Sequence, residues 1–521
     1  MLLLLLACKD APTDAGPTLT NGPVPEVTPA APTLRRLTTS QYHNAIVDLL
    51  GPDVLLPTSL EPDIQVEGLL SVGAGVASVS SWGVERYESA AISLAEQAVE
   101  QGTLTDCDST ACVDDFVADF GRRAWRRPLT EDEVSTLAEV IDWIADDSGD
   151  FETSLVYGTA AMLQSPHFLY RKEHGSSDQG GPLSDFELAT RLSFFVWNTT
   201  PDEELLDAAE AGELSTDAGL EEQARRLMED ERAVDGVRNL FTELYTLYAL
   251  DDLDKDPLVF THASADLGPA AREETLLLVE NLLLHEGGDF RDLFTSERSY
   301  VDRRLASLYR VGAPSEEGHG EVWFERSDGR RGLLGHASVL AQYSHATGSS
   351  PTLRGKFLRT TVLCHTIPPP PGDVDTTIPE ADNSSPTMRD RIAIHLEDPA
   401  CASCHSLLDP IGLGLENFDG IGRWRDTENG ETIDASGDLD GAAWETPWEM
   451  AATVRNHPDL GPCFTTRLYD YAVGRPSGEG EEDLEDWLAV EFEISGYAVP
   501  DLMLSTVMSP GFRNAGAFDV E

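Results

Sequence analysis

The chain has 521 residues, of which 93 are Asp or Glu and 36 are Lys or Arg, giving a formal net charge of −57; only four of the cations are lysines. So negative a surface speaks against nucleic acid and bare anionic lipid as partners, and it suits either solubility or a cationic partner such as a redox protein. With 41% hydrophobic residues the chain can support roughly three or four domains with buried cores.

In chain order, the first feature is Leu5-Leu6-Ala7-Cys8 after a run of leucines. It resembles the lipobox of bacterial lipoproteins, in which the cysteine is acylated and becomes the mature N-terminus. The apolar run is short and no basic segment precedes it, so the signal is imperfect. The expectation is an exported protein, lipid-anchored at Cys8 to a bacterial membrane and facing the periplasm or cell surface. From Lys9 to Thr33 prolines recur at 12, 17, 23, 25, 29 and 32, a composition that reads as a tether. No other segment approaches the ~18 unbroken apolar residues of a membrane span.

The body reads as mainly α, a multi-domain helical assembly with minor β additions. Tyr42, Ala45, Ile46, Leu49 and Leu50 form a helical stripe ended by Gly51. Thr130-x-x-Glu133, Ser184-x-x-Glu187 and Thr200-Pro201-x-Glu203 match capping boxes. Further helices are expected at 113–126, 153–165, 218–230, 271–286, 332–343, 447–456, 464–473 and 482–494. The best strand signals are Glu321 to Glu325 and the region of Ile433. The expected division is a signal remnant at 1–8, the tether at 9–33, an N-terminal helical domain at 34–150, a central helical domain at 151–320, a cytochrome c-like domain at 321–440 and a C-terminal helical domain at 441–521.

Chemistry is most legible at Cys401-Ala402-Ser403-Cys404-His405. C-x-x-C-H is the attachment signature of c-type haem. One helical turn brings thiols at i and i+3 to the same face, where they reach the two vinyl groups of a porphyrin, and His405 offers the proximal iron ligand. A short helix is expected, with Asp398 as N-cap, Pro399 at its first position and Asp409-Pro410 stopping it after about three turns. A thioredoxin-like pair would need a βαβ setting, and a zinc site would need a second Cys/His pair nearby. Four further cysteines remain once Cys8 is set aside, and they allow three pairings. Cys107 with Cys112 and Cys364 with Cys463 is the expected set for an exported protein, against four unpaired buried thiols.

The motif continues into Asp409-Pro410-Ile411-Gly412, Leu415-Glu416-Asn417-Phe418-Asp419 and Gly422-Arg423-Trp424-Arg425. These runs resemble the planctomycete-type cytochrome c domain of large exported bacterial proteins. Arg123 to Thr130, Ser165 to Arg171, Ser349-Ser350-Pro351 with Arg354-Gly355, Tyr471 to Arg475 and Leu37 to Tyr42 resemble the companion domains of unknown function found beside it in planctomycetes and myxobacteria. The resemblance implies one covalent haem c and names no activity for the companions.

Within the cytochrome segment, Ile411, Leu413, Leu415, Phe418 and Trp424 are candidates to wall a porphyrin, with Gly412 and Gly414 allowing its close approach. Arg423 and Arg425 are candidate propionate partners, against ordinary pairing with carboxylates. Met450 is the candidate distal ligand; Met388, His395, His457 and His345 are the alternatives. Glu428, Asp434, Asp438 and Asp440 form an incomplete calcium-loop pattern, which a solvated turn also explains. His43, His167 and His336 sit in amphipathic settings that favour packing roles. No catalytic residue is named by the sequence. Electron transfer between a redox partner protein and the haem is the leading reading. A haem-linked oxidoreductase acting on an extracellular organic substrate, such as a carbohydrate, is the second, and a surface binding module with ancillary haem the third.

Overall fold

Helical periodicity accounts for most of the architecture. The structure, a computed structural model, describes residues 21–104, 107–177, 179–368, 381–382, 384–397 and 399–517, and it is mainly α. The first stripe forms the helix Thr39–Leu50, which buries Tyr42, Ala45, Ile46, Leu49 and Leu50 behind a reciprocal Thr38–Gln41 capping box. Gly51 ends it at φ +100°, a backbone conformation that side chains resist. The capping boxes at Thr130/Glu133 and Ser184/Glu187 are present. The third is displaced: the helix Glu203–Glu210 starts later than Thr200 requires, and Asp202 caps it by accepting from the Leu205 N–H at 3.0 Å.

Helices expected at 113–126, 153–165, 218–230, 447–456 and 482–494 appear as Val113–Trp125, Phe151–Leu163, Asp217–Glu229, Pro447–Arg455 and Glu482–Ile494. The one expected at 464–473 runs Leu460–Val473. The 271–286 expectation begins earlier, as Leu267–Val279, and ends in a π-turn over Glu280–His285. At 332–343 a short turn, Leu333–Gly335, and the helix Ala337–Gln342 flank His336, which stays extended and buries its ring.

The described β structure consists of two-stranded antiparallel pairs. Gly320–Trp323 overlaps the expected strand, ending two residues earlier, and pairs with Arg298–Val301, which carried no clear signal. Around Ile433 lie two hairpins, Thr427–Glu428 with Glu431–Thr432 and Gly437–Leu439 with Ala442–Trp444.

One hydrophobic core takes side chains from Leu69 to Ala515, so it crosses the expected boundaries at 150, 320 and 440. A second packs Leu37 to Leu169 with Phe194, and a third gathers Phe260 to Ala337 with Ile421. Residues 21–33 form no helix or strand, yet they dock on the C-terminal helices: Thr28 N–H donates to Gly480 O at 3.2 Å, and Trp487 Nε1 donates to Gly22 O at 2.9 Å. Cys8 and Asp398 lie outside the described residues. No described helix is long and apolar enough to cross a membrane.

Several runs that carry the family resemblance are buried ionic pegs. Arg126, at φ +59°, donates to the carbonyls of His167, Phe168 and Tyr170. Arg35 pairs in register with Arg171 across a short antiparallel bridge, and Glu173 binds both Arg35 and Arg191. Burial opposes the Glu173 charge, but Arg191, Arg35 and Arg171 outweigh it and hold the carboxyl at about 2.

Candidate functional site

The C-x-x-C-H motif lies on the helix Pro399–Leu413, which runs through Pro410 instead of stopping before it. Proline removes the N–H that would reach the carbonyl of Ser406, a cost that ordinarily ends a helix. Packing offsets that cost here. A Cβ on Gly412 would lie 1.8 Å from the carbonyl oxygen of Pro351, and one on Gly355 would lie 2.0 Å from that of Leu408. The motif helix and the helix Pro351–Lys356 therefore touch backbone to backbone, and only glycine fits at either crossing point.

Two buried arginines fasten the same helix. Arg359 Nε donates to Leu407 O at 3.2 Å. Arg354, 1% exposed, donates to the carbonyls of Leu415, Phe418 and Asp419 in the loop that follows. Ser350 caps the arginine's helix and Pro351 occupies its first turn, so the Ser-Pro-x-x-Arg-Gly run is a clamp for the motif helix.

On that helix Cys401 and Cys404 are half-buried and outside any disulfide. The other four described cysteines form the expected bonds, Cys107–Cys112 and Cys364–Cys463. His405 is oriented by Asp409 one turn later: its Nδ1 lies 2.8 Å from Asp409 Oδ2. Asp409 is 2% exposed, and its other oxygen accepts from Thr352 Oγ1 at 2.8 Å. With Nδ1 held by a buried carboxylate, Nε2 is left as the ligating atom, an arrangement that metal-binding histidines share. Asp409 was legible in the sequence only as a helix stop, although its i, i+4 spacing from His405 carried the signal.

His395 completes the cluster. Its ring centroid lies 4.5 Å from that of His405, and single ligand atoms of His395, His405 and Asp409 lie within 4.8 Å of one another. Around them Ile394, Leu396 and Leu407 are 51%, 50% and 39% exposed. Ile394 and Leu396 flank His395 in the sequence and Leu407 follows His405 by two residues, so exposed apolar side chains adjoin the donors. The donor set and these side chains fit a c-type haem.

Other expected participants lie elsewhere. Met450 is fully buried in the main core, and its sulfur packs beside Gly414 and Trp444, beyond the far end of the motif helix from His405. Met388 packs with Ile392 and Leu413. His457 Nε2 faces Asp440 Oδ2 at 3.1 Å, and His345 is exposed. Ile411, Leu415 and Phe418 are core residues, while Gly412 and Gly414 approach Pro351, Met450 and Trp444. Arg425 Nη2 donates to Glu416 Oε2 at 2.8 Å and to Ser349 Oγ at 3.2 Å; Arg423 is half-buried, with its Nε enclosed. Burial raises the Glu416 carboxyl, against the pull of Arg354 and Arg425. Three of the four carboxylates of the calcium-loop pattern are spent on cations, Glu428 on Arg391, Asp434 on Arg389 and Asp440 on Arg359, while Asp438 accepts from the Gly441 N–H at 3.3 Å. His336 is fully buried and bonded to Thr275 and Ser299.

Family profiles match four stretches of the chain: PSD3 (protein of unknown function DUF1587) over residues 35–100, PSD5 (DUF1595) over 112–173, PSD4 (DUF1592) over 183–311 and PSCyt3 (DUF1588) over 330–428. No curated protein and no solved structure shows significant similarity to the chain. The PSCyt3 stretch contains Cys401, Cys404, His405 and both clamping arginines, Arg354 and Arg359. Over these four stretches the chain is similar to planctomycete cytochrome-type domains of unknown function.

Proposed function

We propose that the protein is an exported c-type cytochrome that carries one covalent haem c and passes electrons at the cell envelope. The observation that carries this reading is His405, fixed by buried Asp409, beside two thiols that stand outside the disulfides. Cys401 and Cys404 would supply the two thioether attachments, and His405 Nε2 the proximal ligand. Met450 is enclosed in the core, and the His395 ring, packed 4.5 Å from that of His405, would have to swing outward before a porphyrin could sit against His405. Ile394, Leu396 and Leu407 would lose their exposure against the ring. Bound there, haem c supplies a one-electron ferric/ferrous couple.

The compartment follows from two supports. Two disulfides suit an oxidising environment. The Leu5-Leu6-Ala7-Cys8 run supplies the export and lipid-anchor reading. A net charge of −57 favours a basic redox partner.

Stopped-flow mixing of the reduced protein with a small basic ferric cytochrome c tests the transfer. We expect second-order electron exchange that slows steeply as ionic strength rises from about 0.01 to about 0.15 M, as the Debye length shortens. Absence of exchange, with peroxide consumed instead, would favour an oxidoreductase.

A further inference from the structure

A cleft of about 690 Å³ lies away from the motif helix, and no residue beyond Leu276 lines it. Its volume falls within the roughly 300–1,000 Å³ range of ligand sites. The amino end of the helix Thr39–Leu50 forms one wall. The helix Ala233–Leu244 forms another: its apolar side, Val237, Leu240 and Phe241, is buried in the core, while Asp235, Arg238, Asn239 and Thr242 face the cleft. The polar face of an amphipathic helix is thus turned to a concave wall instead of open solvent.

The hydrogen-bond inventory shows what this wall leaves unsatisfied. Asn198 is 1% exposed; its Nδ2 donates to Ser40 Oγ at 2.7 Å and its backbone carbonyl accepts from Asn44 Nδ2 at 3.2 Å. Its Oδ1 is buried with no protein partner and belongs to the cleft lining. A buried acceptor left in that state marks a missing donor. Among the described residues the side chains of Asp235 and Thr242 and the Tyr248 hydroxyl also make no hydrogen bond or ion pair, whereas Glu243 is already used by Ser71 N–H at 2.8 Å and Asn239 Nδ2 at 3.0 Å.

Charge narrows the ligand class. Arg238 is spent on Glu273 and Glu280, and Arg272 on Asp251, so the cations are neutralised. Asp63 is likewise spent on Arg36, so an anion meets no unpaired cation and faces Asp235, while an organic cation finds Asp235 beside two guanidinium groups that are already paired. Only Leu70 and Leu276 are aliphatic, so an apolar ligand gains little. What remains is an uncharged molecule dense in groups that both donate and accept. We propose that this cleft binds a short neutral oligosaccharide, with Asn198 Oδ1 accepting from one sugar hydroxyl and Thr242, Tyr248 and Asp235 holding others. The inference does not rest on the haem.

Saturation-transfer NMR and calorimetry on the full chain test it, with cellotriose, xylotriose and mannotriose as neutral probes and trigalacturonate and spermidine as charged ones. Neither Thr242→Val combined with Tyr248→Phe nor Asp235→Asn alone disturbs the core, so both variants should keep the parent's thermal melt. The expected result is binding of at least one neutral trisaccharide and a roughly ten-fold or greater loss in the double variant, as two lost hydrogen bonds imply. No neutral probe binding, binding of the charged probes alone, or neutral binding that both variants leave unchanged would overturn the proposal.

Discussion

His405 and Asp409 form the pair on which the site turns. In the proposed haem site a buried carboxylate at Nδ1 would raise the donor strength of the imidazole and so would favour ferric over ferrous iron. Asp409→Asn keeps the shape and the Thr352 contact but weakens that donation. We predict a reduction potential higher by about 40 mV for each roughly 1 kcal/mol of ferric stabilisation lost. Potentiometric titration reads this directly, and an unchanged potential would show that Asp409 serves packing alone. That Cys401, Cys404 and His405 share one helix was legible in the sequence because their spacing is local. Arg425 was harder to place: its partner, Glu416, lies nine residues earlier, and only the fold reveals that it is buried beside Ser349. Met450 had a spacing that suits an axial ligand, but its helix turns it into the core beside Gly414.

The crossing of the motif helix with Pro351–Lys356 is the contact between elements that sets the site. Gly412→Val would drive side-chain atoms into the Pro351 carbonyl, and we predict a loss of about 2 kcal/mol or more, with poorer cofactor loading, read by urea denaturation of the purified variant. Gly414→Ala tests a different contact: a Cβ there meets the Met450 sulfur at 2.7 Å, Trp444 Nε1 at 2.8 Å and the Ile411 carbonyl oxygen at 3.0 Å, so the closest approaches are to side chains instead of backbone and a smaller loss is predicted. Long helices with capping boxes were legible because period and punctuation agree. The continuation of the motif helix through Pro410 was not, because contacts from a helix some fifty residues upstream decide it. The two-residue strands escape sequence reading for a related reason: Arg35–Arg36 pairs with Tyr170–Arg171, too short a run to carry an alternating pattern.

Two long-range constraints act on the whole molecule. Cys364–Cys463 closes a loop with a sequence separation of 99 residues that contains the entire motif helix. Chain entropy predicts about 4 to 5 kcal/mol of stabilisation from such a loop, so the Cys364→Ala, Cys463→Ala double variant should unfold at markedly lower urea concentration. Buried carboxyls set the pH dependence. Burial raises Glu274 and Asp470 to about 7, far above their unfolded values, so the folded chain holds those protons more tightly. Their contribution to stability is present at low pH and is lost as pH rises from about 5 through 7. Glu173, held at about 2, acts oppositely: its contribution is present above its unfolded value and is lost as pH falls toward 2. Urea midpoints should therefore peak near pH 5, and Glu274→Gln combined with Asp470→Asn should flatten the fall above it. The mainly α class was legible from composition and periodicity. The sharing of one core between Leu69 and Ala515 was not, because packing between distant helices leaves no local mark.

The most direct test of the central claim is the intact mass of the denatured protein, paired with a reduced-minus-oxidised visible spectrum. Both are taken on protein produced with a cytochrome c maturation system, beside a Cys401→Ala, Cys404→Ala double variant. One haem retained through denaturation in the parent and absent from the variant is the predicted result. A parent that matures without added mass or a haem spectrum would contradict the cytochrome reading.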